Sequence, residues 1–325
     1  MQISVVGSGV AGLCVASELS ARGVVVQLFD RHGAVGPQAC SWWAGGMLAP
    51  FCEGDTAPEI VTRLGRGSAD WWQTHGVNVI RNGSLVIALG RDRNEVDRFA
   101  RRTTEHRFIN EGELATLEPD LQGRFSRALY FPTEAHLSPR QALQTLEKNL
   151  ASRGVAIITD PPPSGHTVID CRGLSARDAL KDLRGVKGEM LVLKCNDIKL
   201  LRPVRLLHPR IPIYLVPRGN GIYMLGATQI ESDDRNRATV RSILELLSAA
   251  FALHSAFGEA EILEIGVDAR PAFPDNVPHI RRSENTIYAN GLFRHGFLLA
   301  PALAQMIADH ILNGTIPEVM NENHS

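Results

Sequence analysis

The chain lacks the features of several protein classes. Its 325 residues contain no apolar run long enough to cross a bilayer. It does not open on a basic segment followed by an apolar stretch, so no signal peptide is expected. Net charge is almost absent: 34 Lys and Arg against 35 Asp and Glu leave −1. That is too little for a bulk field that gathers nucleic acid or an anionic membrane, and neither is expected as a partner. Cysteine is scarce and odd in number. Cys14, Cys40, Cys52, Cys171 and Cys195 show no metal-ligand spacing and sit mostly in apolar surroundings, which argues against a metal centre or a disulfide framework. Repeats, low-complexity tracts and a Ser/His/Asp or paired-carboxylate pattern are also missing. A soluble cytoplasmic protein is the expectation.

One short stretch organises what is present. Gly7-Ser8-Gly9-Val10-Ala11-Gly12 follows the apolar Ile3-Ser4-Val5-Val6 and opens a helical pattern. Gly7 permits a tight turn, Gly9 lets backbone approach a diphosphate, and Gly12 lets the helix lie against its strand, with Ala11 in the same turn. The helix N-terminus then offers free N–H groups to phosphate. A second strand, 24–29, ends at Asp30-Arg31. The Asp30 carboxylate is placed to accept from a ribose, roughly 20 residues beyond the glycines.

After Asp30 the chain departs from a nicotinamide dehydrogenase, because residues 32–50 are crowded with glycine and small side chains instead of further βα units. Helices are expected at 56–75, 91–102, 111–117, 139–153 and 239–257, and a last one opened by Pro301. A hairpin is expected over 79–89 around Asn82-Gly83. Strands are expected at 128–131, 155–159 and 167–170, the last leading through Cys171-Arg172 to Gly173, where backbone can approach a ligand. From Gly188 the pattern turns β-rich, with strands at 190–193, 204–207, 213–216, 222–226 and 262–269. The last strand is expected at 286–290, and residues after Pro317 are expected to fray. The resulting fold class is α/β: a Rossmann-like nucleotide-binding domain (1–74, 137–187 and 268–325) with an inserted β-rich α+β substrate domain (75–136 and 188–267).

Taken together, five stretches carry a resemblance: 7–12 with Asp30; Ser41-Trp42-Trp43-Ala44-Gly45-Gly46-Met47-Leu48-Ala49-Pro50; Tyr214-Leu215-Val216-Pro217-Arg218 with Gly226-Ala227-Thr228; Ala269-Arg270-Pro271; and 291–301. In these the chain resembles the amino-acid oxidase superfamily of flavoproteins, and within it the glycine oxidases of the thiamine pathway. The resemblance covers almost the whole length. It implies a glutathione-reductase-type nucleotide fold and FAD as cofactor. Cys40 and Ser41 would touch the diphosphate region, and Gly45, Gly46 and Met47 would sit beside the isoalloxazine. Leu292, Phe293, Arg294, His295, Gly296, Phe297 and Leu298 would lead into a last helix whose positive end faces the ring. Arg270 matches the arginine that holds the substrate carboxylate, Tyr214 and Met47 would limit side-chain size, and Arg294 would either help hold substrate or pack the loop. Trp42, Trp43 and Gln229 depart from the family pattern.

The implied reaction is oxidation of glycine or a similarly small amino acid, such as sarcosine or D-alanine. Hydride passes to the flavin, and the products are a 2-oxo acid, ammonia and, with molecular oxygen, hydrogen peroxide. Only one dinucleotide pattern is present, so no NADPH is expected. The alternatives are a flavin amine dehydrogenase with another acceptor and a non-catalytic nucleotide-binding protein. A homo-oligomer is left open.

Overall fold

The strand Gln2–Val6 lies in the middle of a seven-stranded sheet. The computed structural model describes residues 2–208 and 210–321, so the ends of the expected 268–325 segment, at 322–325, lie outside the described residues. Gln2–Val6 pairs in parallel with Val25–Phe29 on one side and Thr167–Asp170 on the other. Ile3 and Val5 are fully buried, as expected of a parallel strand covered on both faces. The helix Val10–Ala21 follows the glycine turn and packs against a C-terminal helix, Gly296–Asn313.

Thr286–Asn290 extends the sheet in parallel, and then His279–Ser283 and Met320–Asn321 finish that edge. The expected end of the sheet is thereby corrected. Met320 pairs with Ile280, and the neighbouring Val319 is buried, so residues 320–321 are a strand, not a frayed tail. His279–Ser283 escaped notice because His279, Arg281 and Arg282 leave it with little apolar alternation.

The second sheet has nine strands, the longest being the antiparallel pair Arg184–Lys194 and Glu261–Ala272. Its strand therefore starts four residues before Gly188. Side chains alternate across it. One face, with Leu85, Leu191, Leu206, Leu215 and Leu225, packs under the helix Val240–Leu253. The opposite face carries a different row. Val86 pairs with Arg205, Arg205 with Tyr214, and Tyr214 with Gly226. Along Arg184–Lys194 the same face holds Val186, Gly188 and Met190, opposite Arg270, Asp268 and Gly266.

Several expected elements are differently built. The hairpin at 79–89 does not form: Val79–Ile80 joins a three-stranded sheet with Ala135–Leu137 and Met47–Leu48, whereas Ser84–Ala88 belongs to the nine-stranded sheet. Asn82-Gly83 is the link between two sheets. The 56–75 helix is two helices, Glu59–Gly65 and Ser68–Thr74. The break falls at Gly65-Arg66-Gly67, where a Cβ on Gly65 would lie 2.8 Å from Leu298. The 239–257 helix ends at Leu253, and a 3-10 turn, Ser255–Glu259, follows. Pro301 lies inside its helix instead of opening it. Without an N–H, Pro301 leaves the Phe297 carbonyl without its helical donor. The indole N–H of Trp72 donates to that carbonyl at 2.8 Å instead.

Candidate active site

The glycine turn has little freedom. Gly7 has φ 103°, and a Cβ there would meet the Cys171 carbonyl at 2.7 Å. A Cβ on Gly12 would lie 1.8 Å from the Gly7 carbonyl oxygen. Ser41 reaches back from the small-residue loop, and its hydroxyl accepts from the Val10 N–H at 3.1 Å. Asp30 accepts from the Ser8 N–H and hydroxyl, each at 2.8 Å, and from the His32 N–H at 2.9 Å. Burial pushes its pKa up, but these bonds outweigh burial and hold it below the usual carboxylate range.

A cavity of about 900 Å³ starts at this turn and runs to the patterned face of the second sheet. Gly7, Gly9, Ala11, Asp30, Arg31, Cys40, Ser41, Gly45, Gly46, Met47 and Gly173 line it, as do Tyr214, Arg270 and residues 292–298. Gly12 does not line it; it stands behind the turn, against Gly7.

At the far end, two side chains bend over three glycines. The Tyr214 ring crosses Gly226, where a Cβ would sit 2.9 Å from its hydroxyl oxygen, and crosses Gly45, where a Cβ would sit 2.8 Å from Cε2. Burial raises the Tyr214 pKa, against the opposing pull of the Arg270 charge. The Arg270 guanidinium lies over Gly188, where a Cβ would meet Nη2 at 2.2 Å. It donates to the Thr228 carbonyl at 3.2 Å. Among the described residues no carboxylate forms an ion pair with Arg270; the nearby Asp268 is taken by Arg235 at 2.6 Å.

Arg294 is differently occupied. It pairs with Glu53 at 2.9 Å and donates to the Thr56 hydroxyl at 2.5 Å. Glu53 also binds Arg205 at 2.8 Å and His295 at 3.0 Å. Burial alone would raise its pKa, but the Arg294 and Arg205 charges hold it well below the usual carboxylate range. Sequence reasoning missed this cluster. Its available signal was Arg205, a charge in the middle of the apolar strand Val204–Leu207. It also missed the work of Arg218, which donates to the carbonyls of Leu137 at 3.0 Å and Gly45 at 2.7 Å. Arg218 thereby ties Ala135–Leu137 to the Gly45-Gly46 backbone. Gly226 ends the expected strand 222–226, where a glycine often marks a close approach, whereas Gly188 stood outside the expected strand 190–193.

Among the described residues no group of three or more His, Cys, Asp and Glu side chains is arranged to hold a metal ion. All five cysteines are free thiols, and among the described residues no helix is long and apolar enough to cross a membrane.

The donor set fits a bound dinucleotide with a flat ring. A glycine turn at a helix N-terminus meets one end of the cavity, and a cradle that a Cβ at Gly45, Gly188 or Gly226 would fill meets the other. The fold and cavity thus define a dinucleotide-dependent enzyme of the flavoprotein class. The chain belongs to the FAD dependent oxidoreductase (DAO) family, which it matches over residues 2–310, and its cofactor is FAD. It is 50% identical, over 96% of its length and 97% of the relative's, to a protein of Rhizobium etli provisionally named thiamine biosynthesis oxidoreductase ThiO. It is 27% identical to a glycine oxidase of Pseudomonas aeruginosa, over 97% and 96% of the two chains. The crystal structure of glycine oxidase from Geobacillus kaustophilus has the same fold, with TM-score 0.79 at 21% identity over 94% of this chain and 93% of that one.

Proposed function

We propose that this flavoenzyme oxidises glycine or a similarly small amino acid, sarcosine or D-alanine, and serves thiamine thiazole synthesis. The observation that carries the reading is Arg270. A guanidinium with no carboxylate partner among the described residues is held over a glycine at the wall of the cavity, where it offers a bidentate face to an incoming carboxylate.

In this reading Gly7, Gly9 and Ala11 receive the diphosphate with Gly12 supporting the turn from behind, Asp30 and Arg31 meet the ribose end, and Cys40 and Ser41 the region between. Gly45, Gly46, Met47, Gly173 and residues 292–298 surround the ring. The cofactor supplies a hydride acceptor. Arg270 fixes the substrate carboxylate, and Tyr214 and Met47 restrict the space for its side chain. Positioning and exclusion of water are the protein's share of the catalysis. Free N–H groups at the start of Gly296–Asn313 favour negative charge in front of them. The oxidised amine hydrolyses to a 2-oxo acid and ammonia, or methylamine where sarcosine is the substrate, and molecular oxygen takes up the electrons as hydrogen peroxide. Five free thiols suit a reducing cytoplasm.

Anaerobic mixing of the holoenzyme with glycine, sarcosine and D-alanine tests this directly. Bleaching of the flavin by at least one, with peroxide formed in air, is the expected result. No bleaching with any of the three refutes the reading. Dye reduction without peroxide would favour the amine dehydrogenase.

A further inference from the structure

Behind the strand over which Arg270 lies is a buried carboxylate that the reading above leaves unused. Glu189 is fully buried and stands on the strand Arg184–Lys194, one residue after the Gly188 floor. Its Oε2 accepts from the Thr228 hydroxyl at 3.0 Å, and its Oε1 accepts from the Thr239 N–H at 3.2 Å. Its own N–H donates to the Thr228 hydroxyl oxygen at 2.9 Å, and its carbonyl accepts from the Thr228 N–H at 3.2 Å. One residue therefore grips both ends of the loop 228–239. Two residues earlier, Lys187 grips the middle: its Nζ binds Asp234 at 2.8 Å and the Arg237 carbonyl at 3.3 Å, and stands 3.8 Å from Glu189 Oε1. The loop matters to the site because Thr228, Gln229, Ile230 and Arg235 line the cavity, and because the Thr228 carbonyl accepts from Arg270.

We propose that Glu189 is a positioning residue for the substrate carboxylate: by closing the 228–239 loop it fixes the Thr228 carbonyl, and that carbonyl fixes the aim of the Arg270 guanidinium. The inference rests on Arg270 being the carboxylate anchor. Loss of the carboxylate releases the Thr239 end and the Thr228 hydroxyl while the two backbone bonds to Thr228 remain, so the loop loosens and the guanidinium loses its fixed aim, which weakens binding in the ground state and the transition state alike. Such a loss appears in KM more than in kcat.

The test compares Glu189→Ala, Glu189→Gln, Thr228→Val and Arg270→Ala as holoenzymes. The readouts are kcat and KM for glycine and the Kd of acetate, a carboxylate without an amine, followed through the visible spectrum of the bound flavin. Glu189→Ala is expected to raise KM and the acetate Kd together by about tenfold, the order of one lost charged hydrogen bond, with kcat changed less than about threefold. Glu189→Gln is expected to restore both to within about threefold, because its amide oxygen accepts from Thr239 while its NH₂ donates to Thr228. Thr228→Val keeps the carbonyl but loses the hydroxyl; it is expected to raise the acetate Kd, and it decides the matter if Glu189→Ala fails to fold. Acetate binding within twofold of the parent in the folded Glu189→Ala or in Thr228→Val, while Arg270→Ala loses it, overturns the role of Glu189 alone. Unchanged acetate binding in Arg270→Ala overturns the anchor reading as well.

Discussion

Replacing Gly188 by alanine separates binding from folding in this site. A Cβ at 188 would lie 2.2 Å from Arg270 Nη2, 2.5 Å from Cζ and 2.7 Å from Nη1. These atoms are the end of a flexible side chain, so the guanidinium yields and the backbone does not. To restore ordinary contact it must retreat by about 1 Å or more, a misplacement that can cost about 10² in rate when reacting groups lose their alignment. If the shift removes only one charged hydrogen bond to the substrate, the loss is about 1.5–3 kcal/mol, or roughly ten- to hundredfold in KM. Stability should move the other way. Gly188 does not need the left-handed region, and alanine at a compatible strand position restricts the unfolded chain, a gain of about 0.4–1 kcal/mol. The expected signature of Gly188→Ala is thus an unchanged or raised Tm, full flavin content, and a KM for glycine raised at least about tenfold. Steady-state kinetics and a thermal melt on the same preparation measure both. A KM within twofold of the parent, or a melting point that falls sharply, would show that Arg270 is not poised over this glycine as described.

Three further substitutions probe other parts of the molecule. Gly12→Ala places a Cβ 1.8 Å from the Gly7 carbonyl oxygen, backbone against backbone; it should yield protein without flavin, and a normal yellow holoenzyme would contradict the turn geometry. Arg218→Lys cannot reproduce the fork that holds the Leu137 and Gly45 carbonyls, so the FAD Kd should rise by about tenfold or more, read from the flavin retained after dialysis. Glu134 is fully buried, and burial pushes its pKa from 4.5 to about 7 although Ser84 and the Cys52 N–H oppose it. The folded state thus holds its proton where the unfolded chain has lost it, and stability falls as pH rises from 4.5 through 7, by about 3 kcal/mol in all. Glu134→Gln should remove that slope and gain on the parent at pH 8 but not near pH 4, in urea melts at both; an equal difference at the two pH values would refute it.

The parallel half of the molecule was legible because each element carries its own local signal. Gly7, Gly12 and Asp30 mark a turn and a strand end whose geometry few other residues satisfy, and the runs at 3–6 and 167–170 form adjacent parallel strands inside the sheet. Tyr214 and Arg270 were legible only because they stand in stretches that resemble a family. The Glu53 cluster left only one sign in the sequence, the charge of Arg205 within an apolar strand, and nothing linked that residue to Glu53. The cluster's members are brought together across 152 and 242 positions of sequence, and Glu53 ends a four-residue helix, Pro50–Glu53, that has no periodicity to read. The misread hairpin at 79–89 has a similar cause. Asn82-Gly83 does turn the chain, with Gly83 at φ 78°, but a turn signal says nothing about whether the strands on either side pair with each other or with distant partners.

The sheet also explains why the site needs glycines where it has them. Neighbouring strands lie about 4.8 Å apart, and a side chain standing upright on each would fill the face with a closed row. The row from Val86 through Arg205 and Tyr214 comes to Gly226, and on the neighbouring pair of strands Gly188, diagonal to Arg270, interrupts the large side chains of the same face. At Gly226 the vacancy lets Tyr214 lie down, and at Gly188 it lets Arg270 lie down, so that a phenol and a guanidinium on strands well apart in the sheet reach one cavity. The reach of each polar group is therefore set by its neighbour's missing Cβ as much as by its own length. It follows that a side chain restored at 226 should displace Tyr214 just as one at 188 displaces Arg270, and that shortening either polar residue cannot be rescued by filling the glycine beneath it.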